Sequence, residues 1–226
     1  SEKRIEHLVK KEDKYIFFEN KGVYNKCKSY NIGFKEASND IVCFLDIDCL
    51  VSMDSIIKSI TIAKRDWLII GYNRTAIYVE HPLKAKIKDR KGMQIYRFLE
   101  SHIEEGSLET GWYDKQKYSV GNTSAVGGCL FGSKTMFKKI NCFNPNFIGW
   151  GYEDNEIIAR ADILGVTVAG AGNTNNNWLL FHLPHEEGGV AIKDKDNHEF
   201  YKHNERELVK VNSMDKQQLE QYIKTW

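Results

Sequence analysis

The apolar run Val42-Cys43-Phe44-Leu45 followed by Asp46-Ile47-Asp48 constrains the fold of this 226-residue chain more than any other feature. Such a run is typical of a buried strand in an α/β sheet. Alternate residues of an extended segment face the same side, so both carboxylates can address one site. Open α/β sheets bind ligands at the carboxyl ends of their strands, and carboxylates suit a hard divalent cation that bridges to a diphosphate. Two solvated acids at the start of a loop are the alternative.

The segments on either side alternate between strand and helix patterns, which is typical of an α/β sheet with crossover helices. We expect a mixed, mostly parallel sheet flanked by helices. The predicted strands are 15–18, 41–48, 67–70, 125–131 and 166–169. The predicted helices are 26–37, one capped by Ser52 or Asp54, 83–105, one from Ser133 to Ile140, and 153–164.

Length and pattern predict one large domain, residues 1–190, with a C-terminal extension, residues 191–226. Two amphipathic patterns, 199–211 and 215–223, predict that the extension is helical and packs on the domain.

Composition excludes several classes of function. A net charge of +1 gives no basic excess for a nucleic-acid partner. No apolar run is long enough for a transmembrane segment. Five cysteines without a C-x-x-C spacing predict buried free thiols in a reducing compartment, hence a cytoplasmic location, with the inner face of the membrane as a further option. The oligomeric state is not predicted.

A second block, Gly149-Trp150-Gly151-Tyr152-Glu153-Asp154, combines glycines, aromatic rings and acids. The glycines predict a sharply bent backbone that places an aromatic face against a ligand. The acids fall in the first turn of a helix, where the helix dipole favours negative charge. Acids are also good helix starts without any function, and that alternative stays open.

With this block in view, the chain resembles the GT-A glycosyltransferases, and it looks most like the β-1,4-galactosyltransferase and bacterial chondroitin-polymerase branch. Four stretches carry the likeness in the family's order: 24–34, 44–48, 126–143 with its Gly127-Gly128 pair, and 150–154. The resemblance implies a GT-A fold, a UDP-sugar donor and a glycan acceptor.

The resemblance also implies a metal site for Mn²⁺ or Mg²⁺. Asp48 and His182 would be the ligands, with His185 as the fallback, and Asp46 would hold the ribose or orient the metal shell. An imidazole beside carboxylates suits manganese, which accepts both ligand types. A histidine between leucines is otherwise more often a core residue.

Catalytic roles follow from the same resemblance. Asp154 would be the general base that removes a proton from the acceptor hydroxyl, giving inversion at the anomeric carbon. Glu153 would hold acceptor hydroxyls, and Trp150 would stack on a sugar. Burial and the neighbouring Glu153 should raise the pKa of Asp154, which helps a carboxylate act as a base.

The implied donor site includes Tyr24 stacked on the base and Lys26 near phosphate or uracil. Its other predicted members are Asn31, Asp46, Asp48, Gly127 and Gly128. On local sequence alone, Tyr24 is equally plausible as a core or surface aromatic residue.

Two departures from the family bear on activity. The family opens with a strand and a Pro-containing turn that hold uracil, and this chain begins after that point, so it is expected to be either a fragment or a shortened relative. Ala125 replaces a bulky aromatic residue of galactose-specific members, which favours an N-acetylhexosamine donor over galactose.

We therefore expect a metal-dependent inverting hexosyltransferase, acting in surface polysaccharide synthesis. The alternative is a degenerate, non-catalytic transferase-like module that binds nucleotide or glycan. A nucleotidyltransferase also needs paired acids on a strand but does not explain residues 150–154, and the sequence carries no P-loop pattern.

Overall fold

The computed structural model describes residues 9–73, 76–79, 87–104, 126–172, 178–183 and 199–226. Its strands are β1 Ile41–Leu45, β2 Cys49–Leu50, β3 Leu68–Ile70, β4 Ala76–Tyr78, β5 Cys129–Ser133, β6 Val168–Gly170 and β7 Leu180–His182. Its α-helices are α1 Lys26–Glu36, α2 Met53–Ala63, α3 Met93–Glu104, α4 Lys134–Lys139, α5 Glu153–Ile163, α6 Glu199–Asn212 and α7 Lys216–Tyr222.

These strands form two mixed sheets flanked by helices, which confirms the predicted α/β class. The larger sheet has the order β1-β5-β3-β6, and the smaller has the order β2-β7-β4. The pairs β3·β6 and β4·β7 are parallel, whereas β5 runs antiparallel to both of its neighbours and β2 runs antiparallel to β7. Parallel pairs therefore do not predominate among the described strands, because β5 enters the sheet between β1 and β3 in the opposite direction.

Most of the predicted elements are present, and their caps explain where they begin. The side chain of Ser52 accepts a hydrogen bond from Ser55 N at the start of α2, and Ser133 accepts one from Met136 N at the start of α4. The predicted strand at 15–18 is wrong: the structure assigns no strand to residues 14–20. An apolar run becomes a strand only where it finds a hydrogen-bonding partner, and no described strand pairs with this one.

The aromatic residues of α1, β1 and α4 fix the first helix on the sheet. The ring of Phe44 lies 5.0 Å from those of Tyr30 and Phe137 and 4.9 Å from that of Phe143, centroid to centroid. The pairs of Phe44 with Phe137 and Phe143 are edge-to-face, and such packing stabilises a core beyond simple burial. This packing also fixes the position of Lys26 and Tyr30 relative to the C-terminal end of β1.

The two C-terminal helices pack on the rest of the protein. Val211 of α6 and Leu219 of α7 are fully buried in the main hydrophobic core. The Asn144 side chain donates to Glu207 of α6 over 2.9 Å, and Asn141 donates to the carbonyl of Trp226 over 3.0 Å. The predicted boundary near residue 190 lies outside the described residues, so the division into 1–190 and 191–226 stays a prediction.

No helix within the described ranges is long and apolar enough to cross a bilayer.

Candidate active site

Asp46 lies immediately beyond β1, where the chain turns toward β2. Its backbone N–H donates to the carbonyl of Gly128 over 2.9 Å, and its own carbonyl accepts from Cys49 N over 3.0 Å. The hydroxyl of Tyr30 donates to the carboxylate of Asp46. Burial raises the pKa of Tyr30 above its ordinary value, so this hydroxyl stays protonated as a donor.

Asp48 and His182 meet because β2 pairs with β7. The register places Cys49 opposite His182, and Leu183 N donates to the carbonyl of Asp48 over 2.7 Å. As a result His182 Nε2 lies 3.6 Å from Asp48 Oδ2. The structure thus brings together two residues that are separated by 133 intervening positions in the sequence.

These side chains, joined by the thiol of Cys49, are arranged as a metal site. One ligand atom from each of the three residues lies within 4.8 Å of the others. Two ligands that are each about 2.1 Å from one cation stand roughly 3 to 4 Å apart, so Asp48 and His182 fit such an ion. Burial raises the pKa of the Cys49 thiol. The fallback ligand His185 lies outside the described residues.

Lys26, the first residue of α1, connects the Asp46 turn to the acids of α5. Its ammonium nitrogen lies 3.1 Å from Asp46 Oδ2, 3.4 Å from Glu153 Oε1 and 3.2 Å from Asp154 Oδ2. Burial alone would lower the pKa of Lys26, but attraction to the three carboxylates outweighs it, and the pKa lies well above its ordinary value. Lys26 is therefore a fixed positive charge within an acidic cluster.

Asp154 lies in the first turn of α5, facing the Gly127-Gly128 segment. Burial raises its pKa from 3.8 to about 6, with Lys26 opposing and Glu153 reinforcing that shift. A Cβ on Gly127 would lie 2.7 Å from Asp154 Cγ and would overlap its carboxylate oxygen. Glycine at position 127 is therefore what allows Asp154 to occupy this place.

Glu153 holds the bend that precedes α5. Its carboxylate accepts a hydrogen bond from Gly151 N over 3.0 Å, and the side chain is buried. Tyr152, between them, adopts a left-handed backbone with φ of 68°. A tyrosine in that conformation is strained, and such strain concentrates at functional sites.

The predicted stacking residues Tyr24 and Trp150 are both open to solvent and lie on adjoining segments. Their side chains are 59% and 56% exposed, unusually high values for large aromatic residues. Gly149 N donates to the carbonyl of Tyr24 over 2.9 Å, so the two segments are joined beside the acidic cluster. Two accessible rings here suit the stacking of a base and a sugar.

Two other predicted donor residues have structural contacts. Asn31 donates from Nδ2 to the carbonyl of Phe143 over 2.8 Å and accepts from Phe143 N over 3.0 Å. Its amide thus holds the chain after α4, and the donor-binding role stays a prediction. Gly128 has φ of 82°, and an added Cβ would lie 3.0 Å from Cys49 Sγ. Glycine is required there both for the backbone and for space.

Sequence reasoning missed four residues that shape the site: Tyr30, Cys49, Tyr201 and Asn204. Tyr30 had a detectable signal, because it stands four positions after Lys26 and so shares its helix face. Cys49 directly follows Asp48 and was read only as a buried thiol. Tyr201 and Asn204 come from a helix distant in the sequence, and only the folded structure brings them to the loop at Trp150.

Comparison with known families agrees with this geometry. A family model described as "Glycosyl transferase family 2" matches residues 1–138, more than half of the chain. A second model, described as "N-terminal domain of galactosyltransferase", matches residues 112–185. The chain belongs to glycosyl transferase family 2, which confirms the predicted glycosyltransferase family. No curated protein matches it.

Solved structures with partial likeness include two of one galactosyltransferase from Drosophila. One, a mutant β-1,4-galactosyltransferase 7 in complex with manganese, UDP-Gal and xylobiose, is 18% identical with a TM-score of 0.47, over 78% of this chain and 60% of that one. The catalytic domain of the same enzyme with xylobiose is 19% identical with a TM-score of 0.44, over 77% and 60%. GalNAc-T7 with UDP, GalNAc and Mn²⁺ is 14% identical with a TM-score of 0.45, over 85% and 36%. The chain thus spans 60% or less of each of these three proteins.

Proposed function

We propose that this chain transfers a hexose or N-acetylhexosamine from a UDP-sugar to a glycan acceptor, with a divalent cation and with inversion. The observation that carries the proposal is the convergence of Lys26, Asp46 and Asp154. Lys26 contacts both carboxylates, and Asp48, two residues after Asp46 on the same turn, lies beside His182 of β7. Cation-binding groups and a candidate base therefore share one site.

Asp154 is the proposed general base. With a pKa of about 6 it is largely ionised at neutral pH and still basic enough to accept a proton. The acceptor hydroxyl donates to Asp154, and its oxygen forms a bond to the anomeric carbon while the bond from that carbon to the UDP oxygen breaks. The proton passes to Asp154. Attack opposite the leaving group inverts the anomeric configuration.

The remaining roles concern binding. Asp48 and His182 hold Mn²⁺ or Mg²⁺, which supplies positive charge to the departing diphosphate. Tyr24 stacks on the base, and Gly127 and Gly128 belong to the donor site through the room that they give to Asp154 and Cys49. Trp150 and Glu153 hold the acceptor. The pairing of a carboxylate with an imidazole at Asp48 and His182 supports manganese as the cofactor, since this ion accepts both ligand types.

A non-catalytic binding module is the second candidate, and one observation favours it. Lys26 pairs with Asp154 over 3.2 Å, so an acceptor hydroxyl must compete with this ammonium group for the carboxylate unless the lysine moves toward another anion. The donor diphosphate is an anion of that kind. Turnover thus separates the two candidates, because a binding module would retain UDP and yet transfer nothing.

The biological setting is part of the proposal. We assign the protein to surface polysaccharide synthesis in the cytoplasm, at the inner face of the membrane. The support is that all five cysteines are free thiols, as expected for a reducing compartment. The prediction that all five are buried is wrong for Cys43, which is exposed.

The test is a transfer and donor-hydrolysis assay with UDP-glucose, UDP-galactose and their N-acetylamino forms, with Mn²⁺ or with EDTA. We expect Mn²⁺-dependent turnover and an Asp154→Asn variant slowed about 100-fold or more. Asp162→Asn, which changes an exposed acid of the same helix, is the matched control. Turnover unaffected by EDTA or by Asp154→Asn would overturn the proposal, and NMR of the product anomer tests inversion.

A further inference from the structure

Helix α6 packs against one face of the exposed Trp150 ring. The ring of Tyr201, on this helix, stacks on Trp150 at 5.9 Å between centroids with an interplanar angle of 18°. Trp150 nevertheless keeps 56% of its surface exposed. A flat ring that is supported on one side and accessible elsewhere is a preformed surface for stacking.

The helix also fixes the backbone of the same loop. Asn204, which is buried, accepts from Ile148 N over 3.0 Å and donates to the carbonyls of Ile148 and Gly151 over 3.0 Å each. One side chain of α6 thus satisfies three backbone groups around Trp150. An irregular loop with its polar groups satisfied in this way is held in one conformation.

The shape of the loop depends on the position of Tyr201. An added Cβ at Gly151 would lie 2.8 Å from the Tyr201 ring, so only glycine permits this approach. The ring of Tyr152 packs on Tyr201 at 4.8 Å, and the Tyr152 hydroxyl lies 3.5 Å from Glu205 of α6. The strained backbone of Tyr152 is therefore held by contacts with α6.

Helix α6 lies outside both family matches, which end at residues 138 and 185. We infer that α6 builds the outer wall of the acceptor site: Tyr201 and Asn204 are positioning residues for Trp150, whose open face takes the apolar C–H face of a pyranose ring. The ligand class is a hexopyranoside with one unsubstituted ring face, since only such a face can lie flat on the Trp150 ring. This inference rests on the proposed function, since it places the acceptor beside Asp154.

The test is saturation-transfer NMR with methyl β-glycosides of glucose, galactose, N-acetylglucosamine and N-acetylgalactosamine, in the presence of UDP and Mg²⁺. We expect saturation confined to the protons of one ring face in at least one glycoside. Tyr201→Leu removes the stacked ring and should weaken glycoside binding tenfold or more. Tyr201→Phe keeps the ring, so its affinity for the glycoside should stay within threefold of that of the original chain. Val209→Ala, an exposed change on the same helix, is the matched control.

Calorimetry of UDP with the same variants shows whether Tyr201→Leu has disturbed more than the acceptor side. We expect the Kd for UDP to change less than twofold. The inference is overturned if no glycoside receives saturation, if Tyr201→Leu binds glycosides like the original chain, or if UDP and glycoside affinity fall together. Metal-dependent donor hydrolysis that persists in those cases leaves the proposed function intact. Glycoside binding as expected, without any donor turnover, refutes the proposed function alone.

Discussion

The ammonium group of Lys26 lies 3.2 Å from the carboxylate of Asp154, although the two residues are 128 positions apart in the sequence. This ion pair joins the start of α1 to the start of α5 and crosses the site between them. It also lowers the pKa of Asp154 against the effect of burial, which leaves the value at about 6. Burial and the lysine, acting in opposite directions, therefore set the pH at which the candidate base becomes available.

A pH profile follows from this pair. With donor and Mn²⁺ saturating, kcat/KM for the acceptor should fall about tenfold per pH unit below 6, because protonated Asp154 cannot accept a proton. In Lys26→Met the attraction that favours the ionised carboxylate is lost, so the acid limb should move to higher pH. Initial rates between pH 5 and 8 measure both limbs. If the acid limb of the pH profile lies at the same pH in both proteins, Lys26 does not affect the pKa of the base.

Gly127→Ala tests the contact between Gly127 and Asp154. The new methyl group would overlap the carboxylate and displace it, so kcat should fall about 100-fold, as for loss of a general base. Gly33→Ala is the control, since a Cβ at Gly33 meets nothing within 4 Å and alanine favours helix α1. Steady-state kinetics on both variants, with circular dichroism for folding, gives the answer. Full activity in Gly127→Ala would mean that Asp154 need not stay in this position.

Substitution of the buried Arg160 should strongly lower the stability of the protein. It is fully buried, donates to both carboxylate oxygens of Glu156 over 2.7 and 2.9 Å, and donates to the carbonyls of Ile140 and Cys142. Arg160→Leu leaves Glu156 charged and unpaired, so the free energy of unfolding should fall by about 3–5 kcal/mol. Urea denaturation measures it. The double variant Arg160→Leu with Glu156→Leu should recover much of the loss, and a single variant within 1 kcal/mol of the original chain would contradict this account.

The sequence allowed the prediction of those elements whose signal is local. Helices α1, α2, α4 and α5 follow from apolar spacing and from the caps Ser52 and Ser133, and β1 follows from its apolar run. The predicted strand 41–48 is too long, because β1 ends at Leu45 and the two acids lie in the turn that follows. The helical pattern of the C-terminal residues was equally clear. These features depend on neighbours within a few residues, and such information is present in the sequence itself.

Features that depend on a distant partner could not be predicted. β7, only three residues long, is stable because β2 and β4 both pair with it, whereas residues 15–18 are not part of either described sheet. The contacts of Lys26 with three carboxylates and the stacking of Tyr201 on Trp150 likewise form only when distant segments meet in the folded protein. Resemblance indicated which residues matter, and the coordinates indicate how Lys26 and Tyr201 support them.

Calorimetric titration of UDP with and without Mn²⁺ tests the central claim most directly, in the original chain and in the Asp48→Ala, His182→Ala and Asp154→Asn variants. The account predicts UDP binding that requires Mn²⁺, affinity at least tenfold weaker in Asp48→Ala and in His182→Ala, and little change in Asp154→Asn. UDP binding that is equally tight without the metal, or unchanged in Asp48→Ala and His182→Ala, would contradict it.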